Sequence, residues 1–548
     1  MRLPNVFATL VLAALSLPNP LFAQNIRQAA SSQRGMVATA QPLATEAGVR
    51  MLEMGGNAAD AALAAAFATS IVESTMNSIG GRNQILIGLP DGSVLGIDGT
   101  TQAPWDYDYD TAPQAAYGYP VIGLPGAVAG LMRLHTEHGS LPLESVMAPA
   151  IDYAENGFRL LPNEASRQIS NAARSAEFPG TAAIYLKEDG TPRLGGDLLV
   201  NKDYAATLRA IRDGGHDAFY KGEIAERMAA DLAEHRSAVK LQAFHDYEAL
   251  DSKILRGSYR GYDVVGLDVP AAGAVVIQAL HIMENFDPNS MENEEWAAIT
   301  GQALGIASDD WRGSGTDTAS ARAISKEWAA KMAMQIRTPA STGLEYGAYL
   351  PALDSRSDEQ GHTTHLTVAD ENGMFVALTQ TLGPSMGSSV VTPGLGFLYA
   401  STLGGYLGRM EPGDRARSFI SPVIVMKDGV TILALGAAGG NRIVSGVTQV
   451  ISRIIDDDLT LAEALEAPRV HMNRDGSLDA ETSPVIGWKP EELGEMRALG
   501  ITVTENSGAG AFSRVHAIQY DPEARTWYGV ADPDWEGSAR GPMQIPRR

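Results

Sequence analysis

The sequence predicts an α+β protein whose sheet is covered on both faces by helices. Strand patterns lie near both ends of the chain, helical patterns dominate residues 127–243, and a long hairpin signal occupies residues 361–382. Strands at both ends with helices between them fit a sheet covered on both faces by helices.

In chain order, residues 36–40 read as a short strand and 43–53 as a helix ending at Gly55-Gly56. Asn57 caps the next helix, Ala58–Val72, whose residues are nearly all apolar, the mark of a buried helix. Residues 77–83 read as a loop leading into strands at 84–88 and 93–98, and Ala127–His138 as a helix after Gly123-Leu124-Pro125-Gly126. A strand is expected at 259–269, an apolar helix at 274–284, a polar helical stretch at 287–329 and an exposed connection at 338–361.

The central stretch starts at Thr363-Thr364, alternates apolar and polar residues, and reaches Asn372-Gly373 before a second β-rich run. Asn-Gly between two such runs predicts a type I′ hairpin turn. Residues 384–413 are rich in Gly, Ser and Pro; 422–426 and 430–435 form a second hairpin about Asp428-Gly429. Gly436 to Asn441 then opens a helix over 442–455. Helices at 461–464 and 490–499 and strands at 501–505, 513–520 and Thr526–Ala531 complete the chain.

Composition narrows the function. A formal net charge of −23 argues against a nucleic-acid partner. The absence of cysteine removes disulfides and thiolate chemistry, and the ten histidines form no HExxH or other close metal-binding pattern. Arg2 precedes an apolar run over 6–17, too short to span a bilayer, and Ala23 before Gln24 fits a cleavage site. Residues 1–23 therefore read as a signal peptide of a periplasmic or secreted protein, with an uncut tether as the alternative.

Thr363 stands at the leading end of a strand and follows an exposed connection at whose end a processing site is expected. Cleavage between His362 and Thr363 would create an N-terminal threonine, with hydroxyl as nucleophile and α-amine as base. Thr381 falls on the partner strand, and the Gly439-Gly440 pair at a helix start offers N–H groups suited to an oxyanion. Gly383-Pro384-Ser385-Met386-Gly387 also matches the G-x-S-x-G elbow, but no helical pattern follows it. His365 reads as a packing residue.

Seven segments together resemble the γ-glutamyltranspeptidases, a family of N-terminal nucleophile hydrolases. They are GGNAADAALAAAFA (55–68), the loop at 79–81, GLPGAVAGL (123–131), TTHLTVAD (363–370), SPVIVMKDG (421–429), GAAGGNRI (436–443) and APRVH (467–471). The resemblance implies a four-layer αββα sandwich, with self-cleavage into a large subunit, 24–362, and a small subunit, 363–548. It implies Thr363 as nucleophile, Thr381 as its support, Gly439 and Gly440 as the oxyanion hole, and no cofactor or metal. The partners implied are a small amide or peptide substrate and a water or amine acceptor.

The same comparison exposes departures in the glutamyl pocket. The family's carboxylate-binding arginine is Tyr109 here, and the asparagine after the supporting threonine is Gly383. The family's acidic motif is replaced by residues 399–405, and of two paired serines Ser418 remains while the second is Phe419. Arg82 is a candidate replacement for the missing carboxylate partner, and Arg442 a brace for the oxyanion loop. With both clamps gone, an acyl group other than an ordinary γ-glutamyl is expected. The alternatives are a true γ-glutamyltransferase with a rebuilt pocket and an uncut, non-catalytic homologue.

Overall fold

The computed structural model describes residues 28–313, 316–336, 362–508 and 510–543. The expected signal segment and the connection at 338–361 lie outside the described residues.

Two seven-stranded sheets, antiparallel throughout, face each other. In chain order their strands are β1 (Ala29–Ser32), β2 (Gly35–Thr39), β3 (Arg82–Gly88), β4 (Val94–Gly99), β5 (Leu250–Asp251), β6 (Ile254–Tyr259) and β7 (Tyr262–Leu267). They continue with β8 (His362–Asp370), β9 (Phe375–Gly383), β10 (Val423–Lys427), β11 (Val430–Ala438), β12 (Arg514–Asp521), β13 (Thr526–Ala531) and β14 (Ser538–Arg540). The first sheet runs β14-β2-β8-β9-β3-β4-β5, and the second β1-β13-β12-β11-β10-β7-β6.

The period-2 alternation of the strands decides what lies on each side. On β8, Leu366 and Val368 pack outward into a core with helices α1 (Pro42–Glu53), α2 (Ala58–Val72), α3 (Ala127–His138) and α4 (Leu143–Asn156). On the second sheet Val423, Leu433 and Val515 pack outward against α5 (Gly273–Met283), α6 (Asn293–Gly313) and α7 (Ile443–Asp456). Leu86, Phe375, Ala377, Ile424, Ala434 and Ile518 fill the space between the sheets. The order of layers is helix, sheet, sheet, helix: the αββα sandwich.

The alanine-rich α2 is buried at every one of its 15 positions, and Asn57 with Asp60 forms its capping box. Small side chains let this helix lie close against both the sheet and its neighbours.

Several elements differ from the sequence expectation. The β8–β9 connection is not a two-residue type I′ turn, because Gly373 has φ +92° whereas Asn372 is not among the positive-φ residues. Asp370 instead organises a longer loop, its Oδ1 accepting from the backbone N–H groups of Asn372 and Met374. Residues 77–83 are loop only to Gly81, since β3 begins at Arg82. The single strand expected at 259–269 is a hairpin, β6–β7, turning at Arg260 and Gly261 with φ of 48° and 82°. Within 287–329, α6 is not polar on balance: Trp296, Ile299, Leu304 and Trp311 are buried against α5 and α7.

Candidate active site

The hairpin β8–β9 places two threonines face to face. Thr363 pairs directly with Thr381, and Thr363 Oγ1 donates to Thr381 Oγ1 at 3.1 Å. Thr381 Oγ1 donates in turn to the His362 carbonyl at 2.7 Å and accepts from the Gly383 N–H at 2.9 Å. The register shifts between His362 and Thr363, so the peptide bond at this junction sits at a β-bulge. Bulges bend a strand and re-aim side chains, which suits a site at a strand end. Thr363 is 4% exposed in the uncut chain.

The odd-numbered face of β8 looks into the gap between the sheets. His365 Nδ1 lies 2.8 Å from Thr379 Oγ1, and Nε2 lies 2.9 Å from Thr367 Oγ1. Burial holds its imidazole down at about 3, so the ring is neutral and packs as expected. Thr363 occupies the end of this same face.

Across the gap, Arg514 on β12 pairs with Ala438, the last residue of β11 and the neighbour of Gly439. Its Nη2 donates to the Thr363 carbonyl at 3.1 Å. Gly439 and Gly440 are thus brought toward the threonines by the strand register. Gly439 has φ +140°, and a Cβ there would stand 2.8 Å from Ser513 Cα. A short 3-10 turn, Gly440–Arg442, leads from it into α7. Arg442 is buried in an ion pair with Asp479, which ties this turn to the body of the protein.

A second group of charges went unread in the sequence. Glu73, which follows α2 and is 2% exposed, accepts from Thr364 Oγ1 at 2.6 Å. Burial raises its carboxyl pKa, opposed by Arg167 and Arg514. Arg514 and Arg167 lie 4.4 and 4.9 Å from the Trp535 ring centroid. His362 is pushed down to about 3 by burial and then by Arg514, Arg167 and Arg174. An acid at the C-terminal end of a mostly apolar helix was the readable signal for Glu73. Arg514 carried none.

The remaining candidates separate. Arg82 is directly opposite Thr381 on β3, on the same sheet face as both threonines, and is 3% exposed. Ser418 donates its backbone N–H to the Pro270 carbonyl, and no hydrogen bond joins it to the threonines among the described residues. Its neighbour Phe419 packs 5.0 Å from the Trp311 ring. Tyr109 lies under the Arg409 guanidinium, 5.2 Å from its ring centroid. Ser385 is in a turn with no helix after it and accepts from Asn171 Nδ2, so the elbow geometry is absent.

Known proteins resemble this chain in sequence and in fold. The sequence model described as gamma-glutamyltranspeptidase matches residues 44–541. The glutathione hydrolase proenzyme of Escherichia coli (strain K12) is 30% identical, over 92% of this chain and 90% of that protein. The acylase ACY 1 proenzyme of Pseudomonas sp. (strain SE83) is 34% identical, over 81% of this chain and 83% of that one. The crystal structure of cephalosporin acylase from Bacillus halodurans superposes with a TM-score of 0.85 at 25% identity, covering 98% of this chain and all of the other. The chain belongs to the gamma-glutamyltranspeptidase family.

Proposed function

We propose that this chain is an exported, self-processing amidohydrolase or acyltransferase that uses Thr363 as an N-terminal nucleophile. Membership in a family of hydrolases and transferases, with relatives named proenzymes, supports the general class. The observation that carries the specific reading is the hydrogen-bond chain from Thr363 Oγ1 through Thr381 Oγ1 to the His362 carbonyl.

In the precursor, Thr363 Oγ1 attacks the His362 carbonyl carbon. Thr381 Oγ1 accepts the hydrogen bond from the Thr363 hydroxyl and donates to the His362 carbonyl oxygen, which favours charge developing there, and the hydroxyl proton passes to the departing Thr363 nitrogen. The C–N bond breaks, the Thr363 nitrogen leaves as the amine, and His362 becomes an ester on Oγ1. Water hydrolyses the ester and leaves a carboxylate on His362. The new α-amine, with an ordinary pKa of about 7.7–8.0, then serves as base for the same hydroxyl.

Attack on a substrate amide gives a tetrahedral oxyanion facing the Gly439 and Gly440 N–H groups. Its collapse releases the amine and leaves acyl-threonine, which water or an amine acceptor resolves. The subunits are 24–362 and 363–548 in this reading, and residues 1–23 direct export. The replaced glutamyl ligands favour an acyl group other than γ-glutamyl.

Thr363→Ala tests this directly. Wild type should run as two bands on a denaturing gel, with Thr363 as the new N-terminus, and the variant as one inactive band. A variant that still cuts at this junction would overturn the assignment.

A further inference from the structure

Both threonines of the hairpin are held from behind by one short segment. Glu73 is the C-cap of α2, and its carbonyl accepts from the Met76 and Asn77 N–H groups at 3.1 and 3.3 Å, which folds residues 73–77 into a turn. This turn grips β9 through its backbone: the Met76 carbonyl accepts from the Leu382 N–H, beside Thr381, at 3.2 Å. Gln380, the other neighbour of Thr381, donates its side-chain amide to the Ala66 carbonyl at 3.3 Å and to Asn77 Oδ1 at 3.4 Å. The turn grips β8 through one side chain. Glu73 Oε2 accepts from the hydroxyl of Thr364, the residue after Thr363, at 2.6 Å.

A carboxylate in this place is a burden on the fold. Glu73 is buried at the negative end of a helix, where the macrodipole opposes an anion. Arg167 Nη2 approaches its Oε1 only to 3.7 Å and is held more closely by Glu164, at 3.0 Å. Burial outweighs the attraction of Arg167 and Arg514 and raises the carboxyl pKa. A glutamine of the same shape would avoid the cost of a buried charge. What the charge adds is a stronger bond to Thr364, since an ionised acceptor holds a hydroxyl about twice as strongly as a neutral one.

Successive side chains of a strand point to opposite faces. Glu73 therefore reaches the junction from the helix layer, while Arg514 reaches the Thr363 carbonyl from the second sheet. Before cleavage the bond to His362 also restrains Thr363. Afterwards Thr363 would be a chain end, and chain ends fray unless tied down.

We infer that Glu73 is a positioning residue: acting through Thr364, it sets the direction of the Thr363 hydroxyl, toward the His362 carbonyl in the precursor and toward the substrate amide once Thr363 is an N-terminus. The inference rests on the Thr363 reading. It adds a residue of the proposed large subunit on which the nucleophile of the small one depends.

Glu73→Gln and Thr364→Val separate this role from packing. Glu73→Gln keeps the shape and loses the charge, so its thermal midpoint at neutral pH should match or exceed wild type. Conversion of precursor to two bands should nevertheless slow about tenfold, and kcat of the cut enzyme should fall about tenfold with KM unchanged. Thr364→Val removes the donor at nearly constant volume and should slow both steps at least as much. Thr364→Ser keeps a hydroxyl and should recover most of that loss. Because the two residues act through one bond, the double variant Glu73→Gln/Thr364→Val should be no slower than Thr364→Val alone. Wild-type maturation and kcat in Glu73→Gln, or full additivity in the double variant, would overturn the inference. So would a midpoint that falls together with the rate in Glu73→Gln, or loss of a cooperative melt in both single variants, since the pair would then only hold the fold. A wild-type chain that never cuts before Thr363 overturns the parent reading and the inference with it.

Discussion

Arg514 is the residue whose effect reaches furthest for its size. One hydrogen bond at 3.1 Å fixes the carbonyl of Thr363, and with it the direction of the backbone that carries both groups proposed to react. The guanidinium is buried, which pulls it down to about 10, and Glu73 and Arg167 are its nearest charged neighbours by influence. After the proposed cleavage its positive charge would face a new amine on Thr363. A like charge disfavours the protonated amine and keeps the base available at lower pH. Arg514→Gln should therefore slow self-cleavage about tenfold or more, through loss of a charged hydrogen bond. The acidic limb of kcat/KM should also move to higher pH, because the amine regains its proton more readily. Arg514→Lys should keep the limb near its wild-type position while lowering kcat. An unchanged pH profile in the glutamine variant would show that Arg514 only packs. Glu73, Arg167 and Arg174 face the same junction from other elements, so each profile belongs with the full set intact.

The hairpin β8–β9 was legible because its signals are local: alternation over both strands, a turn pair between them, and two threonines at facing ends. The turn type was not, since Asp370 reaching forward to two N–H groups is a side-chain choice that dipeptide preference does not encode. Nor was the pairing of β11 with β12, which brings Arg514 beside Ala438 from 76 positions further along the chain, as the numbering gives. Long-range register depends on how two sheets stack, and the stacking here rests on Gly436. A Cβ at this glycine would stand 2.4 Å from Cε1 of His365 in the opposite sheet. Gly436→Ala must push the sheets apart or turn the imidazole out of its bonds with Thr367 and Thr379. Overpacking of this kind costs about 1–3 kcal/mol. The variant should melt earlier in thermal unfolding and cut more slowly, since Thr363 lies on the same face one turn of alternation away. A melting midpoint equal to wild type would mean that the gap has slack.

At the scale of the molecule, the buried titratable groups set a pH window. Burial holds His362, His365 and His471 at about 3, so the folded state refuses protons that the unfolded chain accepts near 6.5. Their contribution is present above that value and is lost as pH falls toward 3. Burial raises Glu481 to about 8 and Glu536 to about 7. Their contribution is complete below the ordinary 4.5 and is lost as pH rises through those raised values. Histidines outnumber these glutamates, so the acid side should be the steeper: the thermal midpoint should be highest at about pH 6–7, fall sharply by about pH 4 and decline gently toward about pH 9. This runs against the whole-surface expectation. A chain with formal net charge −23 at pH 7 loses self-repulsion on acidification, which on its own would raise stability. The two effects have opposite signs below pH 6, so a thermal-unfolding series separates them. A midpoint at pH 4 as high as at pH 6.5 would show that surface charge, and not the buried neutral histidines, governs this protein's response to acid.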